Sequence, residues 1–144
     1  GFYLHLEPDD CFVGVGLWHP DAAALSGIRT AIAENGQAWL RASRDRSFTG
    51  KFAPAGESLT NPPRGYAKDH PLMEDLKRKD FIAVREFDSK RAVSPGFKTE
   101  VVHSFQAAVP YMRFLCTALS CRSRRRAAPS ACFRLFRAGI TTGR

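Results

Sequence analysis

The sequence predicts an α/β fold of the α+β type, in which an antiparallel, hairpin-containing sheet packs against several helices in a single domain. Apolar residues alternate through two neighbouring stretches, 1–7 and 11–18, with the period of half-buried strands. Apolar residues recur at helical spacing through two longer stretches, 20–36 and 95–119. The chain has 144 residues, of which 44% are hydrophobic, so one domain can bury a core without disulfides.

The first two alternating stretches predict a β-hairpin. GFYLHLE and CFVGVGLW flank the turn residues PDD, and each places its apolar side chains on one face. The residues predicted to share that face are Phe2, Leu4, Leu6, Cys11, Val13, Val15 and Leu17. Gly14 and Gly16 fall on the other face and leave a bare groove on the sheet. Two uses of the groove are open: space for a packed helix, which we favour, or close approach of a backbone or a ligand.

The stretch HPDAAALSGIRTAIAENG predicts a helix that begins near Pro20 and ends at its Asn-Gly dipeptide. Arg29 lies one position beyond the apolar stripe of this helix, so we expect it to be solvated. QAWLRAS predicts a short second helix. Residues 44–66 predict a loop that Phe48 and Phe52 hold against the core.

The segment RGYAKDHP resembles a functional site more than any other stretch. It brings a cation, a phenol, an amine, a carboxylate and an imidazole together in Arg64, Tyr66, Lys68, Asp69 and His70. The alternative is a turn that starts a helix, because Pro71 suits a first helical position and apolar spacing follows it. On that interpretation Asp69 or His70 caps a helix over about 72–78.

The second half of the chain predicts one more strand and one long helix. FIAVREF reads as a strand with Ile82 and Val84 on one face. The apolar series from Phe97 to Leu119 keeps helical spacing, and Pro110 should kink or split that helix. We therefore predict an α/β domain over residues 1–119.

The net charge of +8 belongs to one end of the chain. Residues 1–100 hold all 14 acidic residues and as many Lys and Arg, whereas residues 101–144 hold arginine as their only charged residue type. We predict that 120–144 is a basic tail, disordered or non-native, as in coding sequence translated out of frame. The alternative is an arm that contacts nucleic-acid phosphates non-specifically, and a nucleic-acid partner rests on this tail alone.

Cysteine and histidine spacing predicts no metal site. The cysteines at 11, 116, 121 and 132 form no C-x-x-C pair, and the histidines at 5, 19, 70 and 103 supply no matching pair. The glycines do not follow G-x-G-x-x-G, so no cofactor is predicted. Cysteines used as small apolar residues favour a reducing, cytoplasmic compartment, and no apolar run is long enough to predict membrane insertion.

Three blocks in order carry a family resemblance: GFYLHLEPDDCFVGVGLWHPDAAALSGIRTAI, PPRGYAKDHPLMEDLKRKDF and SPGFKTEVVHSFQAAVPYMRFL. The chain resembles domain of unknown function 2461 over about residues 1–119, a family found mainly in bacteria and also in fungi. The resemblance implies a soluble α/β protein and carries over no activity, cofactor or catalytic residue. Relatives extend N-terminal of the hairpin through a segment with its own Arg-Asp cluster and often carry a longer glycine run. We therefore expect part of any complete site to lie outside this sequence.

Two hypotheses about function remain open. The first is a small-molecule or anion-binding module, with Gly14 and Gly16 as its floor and residues 64–70 as its rim. The second is an enzyme in which His70 acts as a general acid or base, although Asp69 is too close in sequence to orient the ring. The oligomeric state is not predicted.

Overall fold

The computed structural model describes residues 1–123, with side chains described through Ser120. Within them, four strands form one antiparallel sheet in the order β1-β2-β4-β3. The strands are β1 (Phe2–Glu7), β2 (Asp10–Leu17), β3 (Ala53–Ala55) and β4 (Phe81–Phe87). The helices are α1 (Ala22–Glu34), α2 (Gly36–Ser43), α3 (Arg46–Thr49), α4 (Met73–Leu76), α5 (Ser89–Ala92) and α6 (Phe97–Ser123). The predicted α+β class and hairpin are confirmed.

The helices cover one face of the sheet. Val13 of β2 and Phe81 of β4 point to that face, and both are fully buried. They share one core with Ile28 of α1, Trp39 of α2 and Leu115 of α6. Burial of these large apolar side chains is the main favourable contribution to the free energy that holds the helices against the sheet.

The ends of the long helices follow from local chemistry. α1 begins at Ala22 because the Asp21 carboxylate caps it, accepting the Ala24 N–H at 2.7 Å. Pro110 does not split α6, which is continuous from Phe97 to Ser123. Pro110 is solvent-exposed while its neighbour Tyr111 is buried, so core packing holds the helix together across the missing backbone N–H. α6 extends past the domain boundary predicted at Leu119, and the tail from residue 124 lies outside the described residues.

The predicted loop over 44–66 contains two short elements that the sequence pattern missed. α3 forms one helical turn, capped by the Asp45 carboxylate, and β3 pairs with β4 along three residues. Phe48 and Phe52 are buried as predicted, with their rings stacked 5.2 Å apart between centroids. At four and three residues, these elements are too short for a repeating apolar pattern to reveal them in the sequence.

The helix predicted over 72–78 is one turn, α4, and its N-cap position is Leu72, which makes no side-chain capping bond. His70 instead stabilises the turn before it, because its Nδ1 accepts the Leu72 N–H at 3.1 Å. The prediction that Asp69 or His70 caps the helix is therefore wrong, because the N-cap position is Leu72, although a turn does lead into the helix as the alternative interpretation predicts. Asp69 makes no such bond among the described residues.

No helix among residues 1–123 packs beside Gly14 on the second face of the sheet. A Cβ at Gly14 would meet only Tyr3 and Phe12 side-chain atoms, at 3.9 Å. The favoured interpretation of this groove, space for a packed helix, is therefore wrong for the described part of the chain. None of the helices there is long and apolar enough to cross a membrane.

Candidate functional site

The two predicted glycines have different surroundings. Gly14 is half-buried on the open face, between the side chains of Tyr3 and Phe12. Gly16 is buried with φ +122°, and a Cβ there would lie 1.9 Å from the Phe81 carbonyl oxygen. Gly16 thus permits close approach of two backbones, β2 and β4.

The loop predicted as the rim, residues 64–70, leads into α4. α4 lies on the helix-covered face of the sheet, because its Leu76 belongs to the same core as Val13. Gly14 and this loop therefore lie on opposite faces of the sheet. Arg64, Lys68 and Asp69 are exposed, whereas Tyr66 packs against the core. A ligand-binding role for these residues and for Gly14 and Gly16 stays a prediction.

A cleft that was not predicted lies where the β2–α1 loop, α1 and the segments flanking β3 and β4 converge. It is open to solvent and has a volume of about 360 Å³. Its walls are formed by His19, Pro20, Leu25, Arg29, Glu57, Leu59, Lys79 and Asp80. Five of these side chains are titratable, and they come from four separate parts of the chain. We call this surface the Asp80 cleft.

Asp80 is the buried carboxylate at the base of the cleft, with 1% of its surface exposed. Its Oδ1 accepts the His19 N–H at 2.8 Å and its Oδ2 accepts the Glu57 N–H at 3.0 Å. Burial raises the pKa of Asp80, but the two N–H donors and the neighbouring cations outweigh it, so the pKa lies below its ordinary value. Asp80 is therefore ionised at neutral pH.

Asp80 also fixes the backbone on both sides of the cleft. Gly56, at φ +89°, lies so close that a Cβ there would be 2.4 Å from the Asp80 Cβ. On the other side, His19 adopts φ +46°, a left-handed conformation that residues other than glycine rarely adopt. Such backbone strain persists only where surrounding bonds hold it, and it concentrates at functional sites.

The His19 ring stands at the mouth of the cleft. Its side chain is 74% exposed, and its Nδ1 lies 3.6 Å from Asp80 Oδ1. The ring stacks on Trp18, with centroids 5.1 Å apart, and Trp18 itself is 72% exposed. An imidazole beside a buried carboxylate, next to an exposed indole, forms a wall with both polar and aromatic character.

Arg29 and Lys79 place two cations in the cleft. Arg29 donates from Nε to the Leu76 carbonyl oxygen at 2.7 Å and from Nη2 to the Arg78 carbonyl oxygen at 3.1 Å. These bonds hold its guanidinium at the wall, so the expectation that Arg29 is merely solvated is wrong. Burial lowers the pKa of Arg29, and nearby Tyr66 partly opposes this.

Glu57 and Lys79 form the exposed lip. Lys79 Nζ donates to Glu57 Oε2 at 2.8 Å. This bond lowers the pKa of Glu57 and raises the pKa of Lys79. Both side chains are solvent-accessible, so the pair can open at little cost when a ligand competes for Lys79. Within the described part of the chain, no three His, Cys, Asp or Glu side chains are placed to hold a metal ion.

Comparison with known protein families identifies a relationship that covers most of the chain. A family model described as "Conserved hypothetical protein (DUF2461)" matches residues 1–114. The chain belongs to this family. No curated protein and no solved structure matches the chain significantly.

The DUF2461 match contains the whole Asp80 cleft, from His19 to Asp80. The family description names no activity and assigns no residue a role.

Sequence reasoning missed the cleft for identifiable reasons. His19 and Asp80 are 61 residues apart, and neither belongs to a motif. The available signals were faint: an aromatic pair, Trp18-His19, at the entry to a helix, and an acid placed directly before an apolar strand. Arg29 sits at the margin of an apolar stripe, where pattern alone does not separate a solvated cation from a wall residue.

Proposed function

We propose that the domain binds a small polar ligand with one anionic group in the Asp80 cleft. The observation that carries the proposal is the buried Asp80 carboxylate, which holds His19 in a left-handed conformation at the cleft mouth. A fold that buries a charge and strains a backbone at one place spends stability there. The volume of about 360 Å³ suits a small metabolite.

The charges of the cleft favour a single anionic group. Arg29 and Lys79 offer two positive charges, and Glu57 and Asp80 offset them. A ligand with one acid group can replace Glu57 beside Lys79, and its ion pair with Lys79 makes up for the Glu57–Lys79 pair that opens. A ligand with several negative charges gains little more, because the cleft surface is nearly neutral. The exposed Trp18 and His19 rings can pack against the ligand's apolar part.

The proposal is tested with a panel of probes that each carry one acid group: inorganic phosphate, acetate, lactate, glycine and glycerol 3-phosphate. A probe that binds the folded state at a hundred times its Kd stabilises it by about 2.7 kcal/mol. We expect at least one probe to raise the melting temperature of the chain. Lys79→Gln should abolish that increase, and Lys98→Gln, at an exposed position on α6, should preserve it.

Failure of every probe to stabilise the chain would overturn the anion proposal. An equal increase in Lys79→Gln and the unchanged chain would place the ligand elsewhere. Isothermal titration with the best probe then gives the Kd and the ratio of ligand to protein.

A second candidate function is proton transfer by His19. The observation that favours it is the 3.6 Å separation of His19 Nδ1 and Asp80 Oδ1, which leaves Nε2 of an exposed ring to face a substrate. His70, the acid or base proposed from the sequence, has its Nδ1 occupied by the Leu72 N–H. His19→Gln, which keeps a polar group but does not titrate, would abolish turnover.

A cytoplasmic location is part of the proposal. Cys11 is buried, and its thiol donates to the Glu7 carbonyl oxygen at 3.1 Å. A buried reduced thiol in the sheet is the usual state of cysteine in a reducing compartment.

A further inference from the structure

We infer that the ligand of the Asp80 cleft is an α-amino acid with an apolar side chain, an inference that rests on the proposed function. The carboxylate of the ligand pairs with Lys79, and its ammonium group pairs with Glu57. Its side chain lies against the apolar part of the cleft wall. Each of these contacts uses a group that the folded chain already places in the cleft.

Glu57 and Lys79 are held side by side through their backbones. The Lys79 N–H donates to the Glu57 carbonyl oxygen at 2.8 Å, and the Leu59 N–H donates to the Lys77 carbonyl oxygen at 2.8 Å. The side chains of Glu57 and Lys79 are nevertheless 68% and 47% exposed. Their charged ends can therefore separate and receive a ligand between them while the backbone stays in place, and the exposed ion pair opens at little cost.

A ligand that carries only an acid leaves Glu57 without its cation. The Glu57 carboxylate then faces the ligand carboxylate, and the buried Asp80 carboxylate lies nearby. Lys79 lowers the pKa of Glu57 most, whereas burial and the charge of Asp80 oppose it, so Asp80 already disfavours the charge on Glu57. An ammonium group on the ligand replaces the lost cation and removes this repulsion.

Glu57 is the carboxylate of the cleft that can accept the ammonium group. Asp80 is 1% exposed, and its two oxygens accept the N–H groups of His19 and Glu57. Arg29 and Lys79 balance the two carboxylates, so a zwitterion adds no net charge to the cleft. A ligand with two acids or two amines would leave one of its charges unmatched.

Three apolar side chains give the cleft its second character. Pro20, Leu25 and Leu59 line it and are half-buried, and Leu25 also packs against the core. An apolar ligand side chain removes these surfaces from water, which a purely polar ligand does not. Ligand sites commonly combine such a wall with a few placed polar groups.

The test is isothermal titration of the full chain with four matched probes. These are L-leucine, isocaproate, which is leucine without its ammonium group, isoamylamine, which is leucine without its carboxylate, and glycine. We expect leucine to bind at least about fivefold more tightly than isocaproate, and the other two to bind more weakly still. Glu57→Gln should remove the difference between leucine and isocaproate. Glu86→Gln, at an exposed position on β4, should keep it.

Isocaproate that binds as tightly as leucine would overturn the inference and leave the anion proposal standing, as would binding of phosphate alone. Failure of all four probes and of phosphate would overturn both. A preference for leucine that survives in Glu57→Gln would place the ammonium group elsewhere and contradict the inference. Melting temperatures confirm that both variants fold.

Discussion

The Asp80 carboxylate accepts the backbone N–H of His19 at 2.8 Å across 61 residues of sequence. This bond joins the entry of α1 to the start of β4 and holds the His19 backbone at φ +46°. The same carboxylate accepts the Glu57 N–H, so it fixes both sides of the cleft. A single buried charge thus gives the cleft its shape.

Asp80→Asn should lower the free energy of unfolding by about 1–3 kcal/mol. An amide has one acceptor oxygen, so one of the two buried N–H donors, of His19 or of Glu57, faces an NH₂ group and stays unpaired. Urea unfolding measures the change. Asp69→Asn, at an exposed position, should leave stability within about 0.5 kcal/mol. Equal stability of Asp80→Asn and the unchanged chain would show that the carboxylate does not hold the cleft.

His19→Gly should leave stability unchanged or raise it by up to about 1 kcal/mol, because glycine relieves the left-handed backbone but adds unfolded-state entropy. The same substitution should weaken binding of the best anionic probe, since the imidazole wall is lost. Thermal unfolding and isothermal titration separate the two effects. A large loss of stability with unchanged affinity would assign His19 a structural role and none in binding.

Stability should fall as pH drops below about 4, mainly through Asp80 and Glu100, the two carboxylates of lowered pKa whose side chains are largely shielded from solvent. In Glu100, the Arg91 hydrogen bond lowers the pKa most, burial opposes it, and Arg85 adds to the lowering. In Asp80, burial raises the pKa, but the two backbone N–H donors and the neighbouring cations lower it by more. A lowered folded pKa means that the unfolded chain binds more protons, so the stabilisation is present above the unfolded pKa and is lost as pH falls through the folded one.

The measurement is urea unfolding at pH 7 and pH 3. Asp80→Asn and Glu100→Gln should each lose less stability between these values than the unchanged chain does. Glu86→Gln, at an exposed position, serves as the control and should lose as much as the unchanged chain. Identical losses in all four proteins would contradict the assignment.

Gly16→Ala should destabilise the fold strongly, and Gly14→Ala should not. A Cβ at residue 16 meets the Phe81 carbonyl oxygen at 1.9 Å and requires φ +122°, whereas a Cβ at residue 14 finds ordinary contacts at 3.9 Å. Strain and clash together should cost Gly16→Ala more than about 3 kcal/mol. Melting temperatures of the two variants give the comparison, and similar values for both would show that β2 and β4 do not approach so closely.

Removal of residues 124–144 should leave the melting temperature unchanged, and if the tail is the basic arm that contacts phosphates, it should also abolish salt-sensitive DNA binding. The family match ends at residue 114, and the removed segment carries much of the positive charge. Binding to a short DNA duplex at 50 and 200 mM salt measures the electrostatic contribution. A large drop in melting temperature would show that the tail packs on the domain, and retained DNA binding would place the contact within residues 1–123.

Much of the fold was predictable because its periods are local. The alternation in β1, β2 and β4 and the apolar stripes of α1 and α6 each span at least six residues, enough to reveal a period. α3 and β3 are too short to show one. The continuity of α6 at Pro110 depends on core packing, which no local rule contains.

The cleft was not predictable by the same route. The geometry of the cleft depends on the register in which β4 pairs with β2. That register decides which loop residue lies next to Asp80. His70 drew attention because its polar neighbours are adjacent in sequence. His19 has its partner 61 residues away, so tertiary structure alone reveals the pair.

The most direct test of ligand binding in the Asp80 cleft is an ¹⁵N–¹H correlation spectrum of the chain titrated with the best anionic probe. The account predicts that the backbone amides of His19, Leu25, Glu57 and Leu59 shift, and that Lys79→Gln suppresses these shifts while Lys98→Gln retains them. Shifts confined to Gly14 or to residues 64–70, or no shifts at concentrations up to about 10 mM, would contradict it.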